Sequence, residues 1–197
     1  MEAAMADNVS EIQKLYVEYF GRPADPEGLN FWVSAMNQDP NVITQIQHDF
    51  ATSAEYQANY GGRSNHDVVE AVYHNMFGRE GDAEGVKFWT DALDNHILSI
   101  EHVVSEMVKA AQTAHNADSV VFNGRLAVAV EYTNHLDTAA EITAYMGPKA
   151  FDISSGLIDS IVDLASAAMA RDPGVIDANI AQIVGSAQGA EAPHFVA

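Results

Sequence analysis

Four carboxylates occupy matching places in two similar stretches of the chain. Asp25 and Glu27 recur 57 residues later as Asp82 and Glu84. Carboxylate oxygens, together with turn carbonyls, are the ligands that hard cations such as Ca²⁺ prefer. The same pattern is typical of a helix start, because Pro26 follows Asp25 and the glutamate would lie at the positive end of the helix. Helix capping is the favoured interpretation, and a calcium site is the alternative.

Eight histidines are spread along the chain, and none forms the H-E-x-x-H pair of a zinc protease helix. His66, Glu70 and His74 would share one helical face, and so would Glu131 and His135. Imidazole and carboxylate groups at this spacing are found in transition-metal sites. Because such residues also cover ordinary solvated helices, a polar surface is the favoured interpretation.

The second half of the chain adds the acidic residues Asp152, Asp159 and Asp163, which would collect divalent ions between molecules. The sequence has no phosphate-binding loop, dinucleotide fingerprint, nucleophile elbow or paired-carboxylate motif. It also has no cysteine, which excludes disulfides and thiolate metal sites. We therefore predict a protein that is not an enzyme, with calcium as the one candidate cofactor.

The motif carboxylates belong to an internal repeat. Residues 16 to 32 read YVEYFGRPADPEGLNFW and residues 73 to 89 read YHNMFGREGDAEGVKFW, with nine of 17 positions identical. Weaker matches on both sides give two units of about 55 residues each. In each unit the pattern predicts a helix that ends at the glycine (Gly21 in the first copy), a turn, and a second helix that starts at the aspartate.

The motif arginines, Arg22 and Arg79, lie in the predicted turns, where each would pair with its own aspartate or bond the last carbonyls of the preceding helix. Phe31, Trp32, Ala35 and Met36 would form the inward face of the second helix. We expect the repeated aromatics to be core residues, with a sugar-stacking pocket as the alternative; they are Tyr16, Phe20, Phe31, Trp32, Tyr73, Phe77, Phe88 and Trp89.

Helix signals continue to the end of the chain, and no segment has a strand pattern. A helix is predicted over residues 120–136, where Gly124 and small neighbours would permit close helix approach. One further amphipathic helix would contain residues 157–164 and another residues 175–184. Predicted caps are Asp39, Ser53, Ser64, Ser99, Asp172 and the Thr138–Glu141 capping box. The predicted fold is an all-α helical bundle of two repeated units and a C-terminal helical segment.

Three regions follow from these patterns. Residues 8–115 would form a two-unit repeat domain, residues 116–186 a C-terminal helical domain, and residues 187–197 a flexible tail. The boundary is placed between residues 112 and 118, with residues 147–154 as the weaker candidate. The small and polar composition of the tail is typical of a frayed end, and a C-terminal export signal is the alternative.

Composition excludes several classes of partner. Nine basic residues against 28 acidic ones give a formal charge of −19, which argues against a nucleic-acid groove and an anionic membrane surface. No apolar run is long enough to insert into a membrane. The first ten residues have neither a basic nor an apolar signal region, so export would proceed without an N-terminal signal peptide.

The repeated pattern Y-x3-F-G-R-x2-D-x2-G-x2-F-W resembles the bacterial domain of unknown function 4214. This family occurs in surface-layer proteins and in exoproteins exported by type I secretion, and is distantly similar to the phycobilisome linker domain. The resemblance covers residues 8–137; residues 50–60 look like the family's closing helix, and residues 123–136 like a segment that often follows the repeats. The nonapeptide calcium repeats of many such exoproteins are absent, so calcium binding is not implied.

The resemblance implies an extracellular or cell-surface setting. We expect a non-enzymatic structural protein that associates with itself in a surface layer or similar lattice, with calcium-dependent assembly. One alternative is a module that anchors to envelope polysaccharide or to another surface protein. A second alternative is an intracellular scaffold like the phycobilisome linkers.

Overall fold

The computed structural model describes residues 2–147 and 149–190, with side chains for residues 8–147 and 149–187. Within these ranges the chain forms twelve α-helices, one 3-10 helix and no strand, which confirms the predicted all-α bundle. None of these helices has the length and hydropathy of a membrane span. The helices are α1 (Glu2–Phe20), α2 (Pro26–Gln38), the 3-10 helix (Pro40–Val42), α3 (Ile43–Thr52), α4 (Ala54–Tyr60), α5 (Asn65–Phe77), α6 (Ala83–Asp94), α7 (Ile100–Ala114), α8 (Ala117–His135), α9 (Ala139–Tyr145), α10 (Ala150–Asp159), α11 (Leu164–Ala170) and α12 (Pro173–Ala190).

Both motif copies fold locally as the sequence predicts. Gly21 and Gly78 take positive φ angles of 65° and 66°, which end α1 and α5 in the left-handed conformation that favours glycine. Asp25 accepts a hydrogen bond from the Gly28 amide at 2.6 Å and caps α2. Asp82 accepts one from the Gly85 amide at 2.8 Å and caps α6. That the two units are equivalent beyond their shared motif stays a prediction.

The apolar side chains gather in two clusters. The larger core is built from α1 to α7 and also includes Phe122 and Val128 of α8 and Ile158 of α10. The smaller core joins the end of α8 to α9, α10 and α12, with Tyr132, Tyr145 and Ile176 fully buried. Since α8 contributes to both cores, it links the helices on either side of the predicted boundary. The division into two domains there stays a prediction.

Most predicted caps are observed. Ser53 caps α4, Ser64 caps α5, and Thr138 and Glu141 form the predicted capping box of α9. Asp39 accepts from the Asn41 amide at the start of the 3-10 helix, and Asp172 from the Gly174 amide at the start of α12.

Ser99 is the exception among the predicted caps. Its hydroxyl group makes no capping bond to α7 and lies instead 2.9 Å from Nδ1 of His102.

The single helix predicted over residues 157–164 is wrong. The chain leaves α10 at Asp159 and starts α11 at Leu164, because Asp163 caps α11 in a capping box with Ser166. The free carbonyls of Asp159 and Ile161 accept hydrogen bonds from the buried guanidinium of Arg125. A cation therefore lies at the negative end of α10, where it is favoured.

Small residues bring α8 and α11 together, as predicted for Gly124. A Cβ added there would lie 2.8 Å from the Cβ of Ala167. Beside this contact runs an open groove of about 690 Å³, whose lining includes Val120, Ala127 and Leu164.

The predicted tail overlaps the last helix. α12 continues to Ala190, so the first residues assigned to the tail are helical. The remainder, residues 191–197, lies outside the described residues.

Candidate functional site

Five residues of each motif copy surround the turn between its two helices. They are a tyrosine, a phenylalanine, the turn arginine, the capping aspartate and a tryptophan. These residues form the first cradle (Tyr16, Phe20, Arg22, Asp25, Trp32) and the second cradle (Tyr73, Phe77, Arg79, Asp82, Trp89).

The spacing of tyrosine, aspartate and glycine in the motif has a steric reason. A Cβ added to Gly28 would overlap the Tyr16 hydroxyl group, and one added to Gly85 would overlap that of Tyr73. Glycine therefore lets the tyrosine of the first helix pack directly on the first turn of the second helix. The spacing of these residues is visible in the sequence, but its steric reason is visible only where the two helices pack together.

Each turn arginine is held by a carboxylate from a later helix rather than by its own aspartate. Arg22 donates to Glu55 through Nε at 2.6 Å and Nη2 at 2.9 Å. Arg79 donates to Asp118 through the same two nitrogens at 2.7 and 2.8 Å. Its distance to Asp82 is 3.8 Å, so the predicted pair is the weaker one. The prediction for Arg22 and Asp25 is wrong because a bidentate pair satisfies a guanidinium better.

The two carboxylates occupy equivalent places on their helices. Glu55 follows the cap Ser53 of α4 by two residues, and Asp118 follows the cap Asn116 of α8 by two residues. Both benefit from the positive helix end. Their sequence separation is 63 rather than 57 residues, because α7 is five residues longer than α3 and His115 adds one residue before the cap Asn116. An alignment of the chain with itself at an offset of 57 residues therefore does not pair Glu55 with Asp118.

Hydrogen bonding controls the protonation of both arginines. Burial lowers the pKa of Arg22, but the Glu55 carboxylate outweighs it and the net direction is upward. The Asp118 carboxylate raises the pKa of Arg79 in the same way. Both side chains are therefore permanent cations.

The first cradle is covered by the C-terminal helices. Phe151 of α10 lies over Arg22, with its ring centroid 3.8 Å from Cζ. Tyr145 of α9 donates its hydroxyl hydrogen to the carbonyl of Pro23 at 2.6 Å. Thr133 of α8 donates to the carbonyl of Ala24 at 2.7 Å. As a result the Arg22 side chain is only 5% exposed.

The second cradle is open. The Arg79 side chain is 39% exposed and that of Asp82 is 63% exposed. A cavity of about 230 Å³ adjoins all five residues of the second cradle, and Ala110 and Ala114 of α7 also line it. The two copies of one motif therefore differ in whether other helices cover them.

The repeated aromatics divide into two groups. Six of them are buried or half-buried in the larger core, as predicted. Phe31 and Phe88, however, are 64% and 63% exposed, so the predicted core position of both is wrong, and so is the inward orientation of Phe31. Each lies edge-on to the following tryptophan, at 4.7 and 5.0 Å between centroids. The tryptophan takes the inward position, and its neighbour on the helix must then point outward.

The four motif carboxylates lie at helix starts. Asp25 and Asp82 are caps, and Glu27 and Glu84 are exposed in the first turns of α2 and α6. Capping is thus observed for Asp25 and Asp82, while calcium binding at the four residues stays a prediction.

His66, Glu70 and His74, for which a metal site was the less favoured alternative, each have a separate neighbour. Glu70 accepts from the Gly81 amide at 3.2 Å, while His74 lies beside Asn75 and His66 beside Asp67. Across the described part of the chain, no three His, Asp or Glu side chains are grouped so as to hold a metal ion.

The remaining polar candidates have separate roles. Glu131 binds Arg171, and His135 lies 2.7 Å from Asp177. Asp159 lies 3.3 Å from Arg125. Asp163 caps α11, and Asp152 is exposed on α10.

Sequence reasoning did not identify Glu18, which is fully buried between α1 and α7. Ser105 donates a hydrogen bond to its Oε2 at 2.7 Å, and Lys14 lies 3.7 Å from Oε1. Burial raises the pKa of Glu18 to about 7, and the Lys14 charge only partly opposes this effect. A glutamate on an amphipathic helix gives no sequence signal of burial; only its place among apolar neighbours does.

Residues 47–117 match a family model described as Domain of unknown function (DUF4214). This range contains the second motif copy and the whole second cradle but not Asp118, the partner of Arg79, and the first copy precedes it. No curated protein and no solved structure matches the chain. The family model that residues 47–117 match is the one that the motif predicted.

Proposed function

We propose that this protein is a non-enzymatic extracellular structural protein that associates with copies of itself, as in a surface layer or similar lattice. One observation carries the proposal: the same motif position exposes a phenylalanine in both units, Phe31 and Phe88. Single exposed apolar side chains are common on protein surfaces. The recurrence of such a side chain at equivalent places on two helices is our reason for assigning both side chains to an interaction surface.

The energetics favour contacts at these side chains. Burying a phenylalanine contributes about 1.5–3 kcal/mol, and aromatic residues dominate the binding energy of many interfaces. Each phenylalanine ring already packs edge-on against a tryptophan ring. Little side-chain conformational entropy therefore remains to be lost on binding.

The extracellular setting rests on the family resemblance, since the family occurs in surface-layer and exported proteins. The charge of −19 opposes contact between copies. Screening by salt, or calcium ions shared between carboxylates of two copies, would relieve this repulsion.

The association is tested by light scattering and negative-stain imaging of the purified protein in calcium. We expect particles heavier than the 21.2 kDa chain, and expect Phe31→Ser combined with Phe88→Ser to reduce them to single chains. Ile97→Ser is the matched control, because Ile97 is 75% exposed but lies outside the motif. A wild-type protein that stays a single chain with and without calcium contradicts the proposal.

The extracellular location of the protein is tested in a separate experiment. Antibody labelling of intact cells that produce the protein should detect it on the surface or in the medium. Protein recovered only from inside washed cells would contradict the extracellular part of the proposal and favour the scaffold alternative.

A further inference from the structure

We propose that the outer face of α2 binds the same face of a second copy of the chain, with the two helices antiparallel. This inference rests on the proposed self-association and names the surface that Phe31 contacts. It follows from the order of large, small and polar side chains along one helix.

The outer face of α2 is a single stripe that runs the length of the helix. Its residues are three or four positions apart, so they lie along one side of the helix, while Val33 and Met36 on the other side are buried. A shallow groove of about 600 Å³ follows the stripe beside Phe31. The six residues of the stripe are Glu27, Asn30, Phe31, Ser34, Ala35 and Gln38.

The middle of the stripe is complementary in size to itself. When two antiparallel copies of α2 are centred between residues 32 and 33, Phe31 of each copy faces the small Ser34 of the other. In the same register Asn30 faces Ala35, so each larger side chain meets a smaller one. A two-fold axis between the copies then makes every contact twice, which is the arrangement of an isologous interface.

The ends of the stripe fit the same register. Glu27 in the first turn of α2 faces Gln38 at the last residue of the other helix. The amide group of Gln38 is a hydrogen-bond donor and the Glu27 carboxylate is an acceptor. The antiparallel arrangement also places the positive start of each helix beside the negative end of the other. Size, hydrogen bonding and helix dipoles therefore all favour a second copy of α2 on this face.

The charges around the two exposed phenylalanines distinguish Phe31 from Phe88. Residues 28–38 contain no charged residue, although the chain has a formal charge of −19. The helix that presents Phe88 instead has four charged residues: Glu84, Lys87, Asp91 and Asp94. A self-contact of α6 would take the Lys87–Asp91 ion pair out of water, which is costly. The self-contact is therefore assigned to Phe31, and Phe88 is left for a different contact of the lattice.

The contact between two α2 helices is small. A helix of 13 residues is about 20 Å long and about 10 Å wide, so it buries less than the roughly 800 Å² per partner of a stable complex. We therefore expect pairs through α2 to form at high protein concentration. An isologous contact also closes after two copies, so growth of a lattice needs the separate contact of Phe88.

Disulfide trapping tests the antiparallel register, because the natural chain has no cysteine. Glu27→Cys and Gln38→Cys each place a single thiol at one exposed end of the stripe. In the proposed pair the thiol of one variant lies opposite the thiol of the other. Two identical thiols would be about 17 Å apart along the helices, since eleven positions each rise about 1.5 Å, and this is too far for a disulfide.

Mild oxidation of an equimolar mixture of these two variants should give covalent pairs on a denaturing gel, and either variant alone should give none. The matched control is a mixture of Glu84→Cys and Asn95→Cys, which occupy the same two motif positions on α6. We expect no covalent pairs in the control. Pairs from a single variant, no pairs from the α2 mixture, or equal pairing in the control mixture each overturn the inference.

Sedimentation at high concentration tests the contact without a covalent bond. The Phe88→Ser protein should still form pairs, because its α2 face is unchanged. Adding Ser34→Glu should weaken the pairs by at least about 30-fold, since two carboxylates then meet near the two-fold axis. Adding Thr44→Glu instead introduces the same charge at an exposed position of α3 and should weaken them by less than about threefold. Equal effects of the two glutamates contradict the inference.

The failure of this inference is distinguishable from the failure of the proposed function. A wild-type protein that never associates contradicts the proposed function itself. A wild-type protein that associates, while the α2 mixture gives no covalent pairs and Phe88→Ser gives single chains, overturns the α2 contact alone. Circular dichroism and thermal unfolding establish that each variant is folded.

Discussion

At the scale of single residues, burial decides the charge state of Glu18. Its side chain is fully buried, and Oε1 has no hydrogen-bond partner in the described part of the chain. Burial favours the neutral acid and raises the pKa from its ordinary value of 4.5 to about 7. The folded protein therefore binds a proton that the unfolded chain releases between these values. The contribution of Glu18 to the free energy of unfolding is therefore fully present below pH 4.5 and is lost as the pH rises through 7.

Glu18→Gln should remove this pH dependence, because the amide keeps the shape without the charge. At about 1.4 kcal/mol per pKa unit, the shift corresponds to about 3 kcal/mol. We expect urea unfolding to show a variant that is about 2–3 kcal/mol more stable than the wild type at pH 8 and nearly equal to it at pH 4.5.

Glu11→Gln is the control for that measurement. Glu11 also lies beside Lys14, at 3.6 Å, but its side chain is 42% exposed. It should change stability by less than about 1 kcal/mol at either pH. A difference between Glu18→Gln and the wild type that does not vary with pH would show that Glu18 is ionised throughout.

At the scale of helices, the motif fixes how the two helices of each unit meet. The tyrosine of one helix packs on the first turn of the next because a glycine lies there. The aspartate cap and the left-handed glycine then set the turn between them. The tyrosine–glycine contact, the aspartate cap and the left-handed glycine thus act on the same helix pair. This accounts for the fixed spacing of these residues in both copies.

Gly28→Ala should force α1 and α2 apart, since the new methyl group would overlap the Tyr16 hydroxyl group and lie 2.8 Å from the Asp25 carboxylate. We expect a loss of about 1–3 kcal/mol in the free energy of unfolding, measured in urea. Adding Tyr16→Phe should reduce the loss, because the overlapping oxygen is then absent.

The control is Gly156→Ala on α10, where an added Cβ meets no atom within 4 Å. That variant should gain about 0.5–1 kcal/mol from lower backbone entropy in the unfolded chain. Equal effects of Gly28→Ala and Gly156→Ala would mean that the tyrosine contact does not set the helix packing.

At the scale of the whole molecule, charge opposes the association that the exposed aromatics favour. Screening shortens the range of the repulsion from about 30 Å at 0.01 M salt to about 8 Å at 0.15 M. Apolar contacts at Phe31 and Phe88 depend much less on salt. Association of this protein should therefore strengthen as salt is added.

Light scattering in sodium chloride from about 10 to 150 mM should show the mean mass rising with ionic strength. Calcium chloride at matched ionic strength separates screening from bridging. A larger mass in calcium supports ions shared between copies, and equal masses support screening alone. A mass that falls as salt is added would mean that attraction between charges, rather than aromatic contact, holds the copies together.

Much of the local structure is decided by the sequence itself. Helix starts and ends follow from short-range bonds, so Asp25, Ser53, Thr138 and Gly21 act as their types predict. The match of residues 47–117 to the family model also follows from the motif alone. These features depend on neighbours within a few residues, and that information is present in the sequence.

Only the tertiary structure decides which side chains face another helix. Phe31 and Trp32 are neighbouring aromatic residues, yet the tryptophan packs inward against Phe50 and the phenylalanine lies in solvent. Arg22 and Arg79 occupy the same position in the two motif copies, yet α9 and α10 cover the first and leave the second open. Burial depends on contacts between residues far apart in the chain, and a local pattern does not contain them.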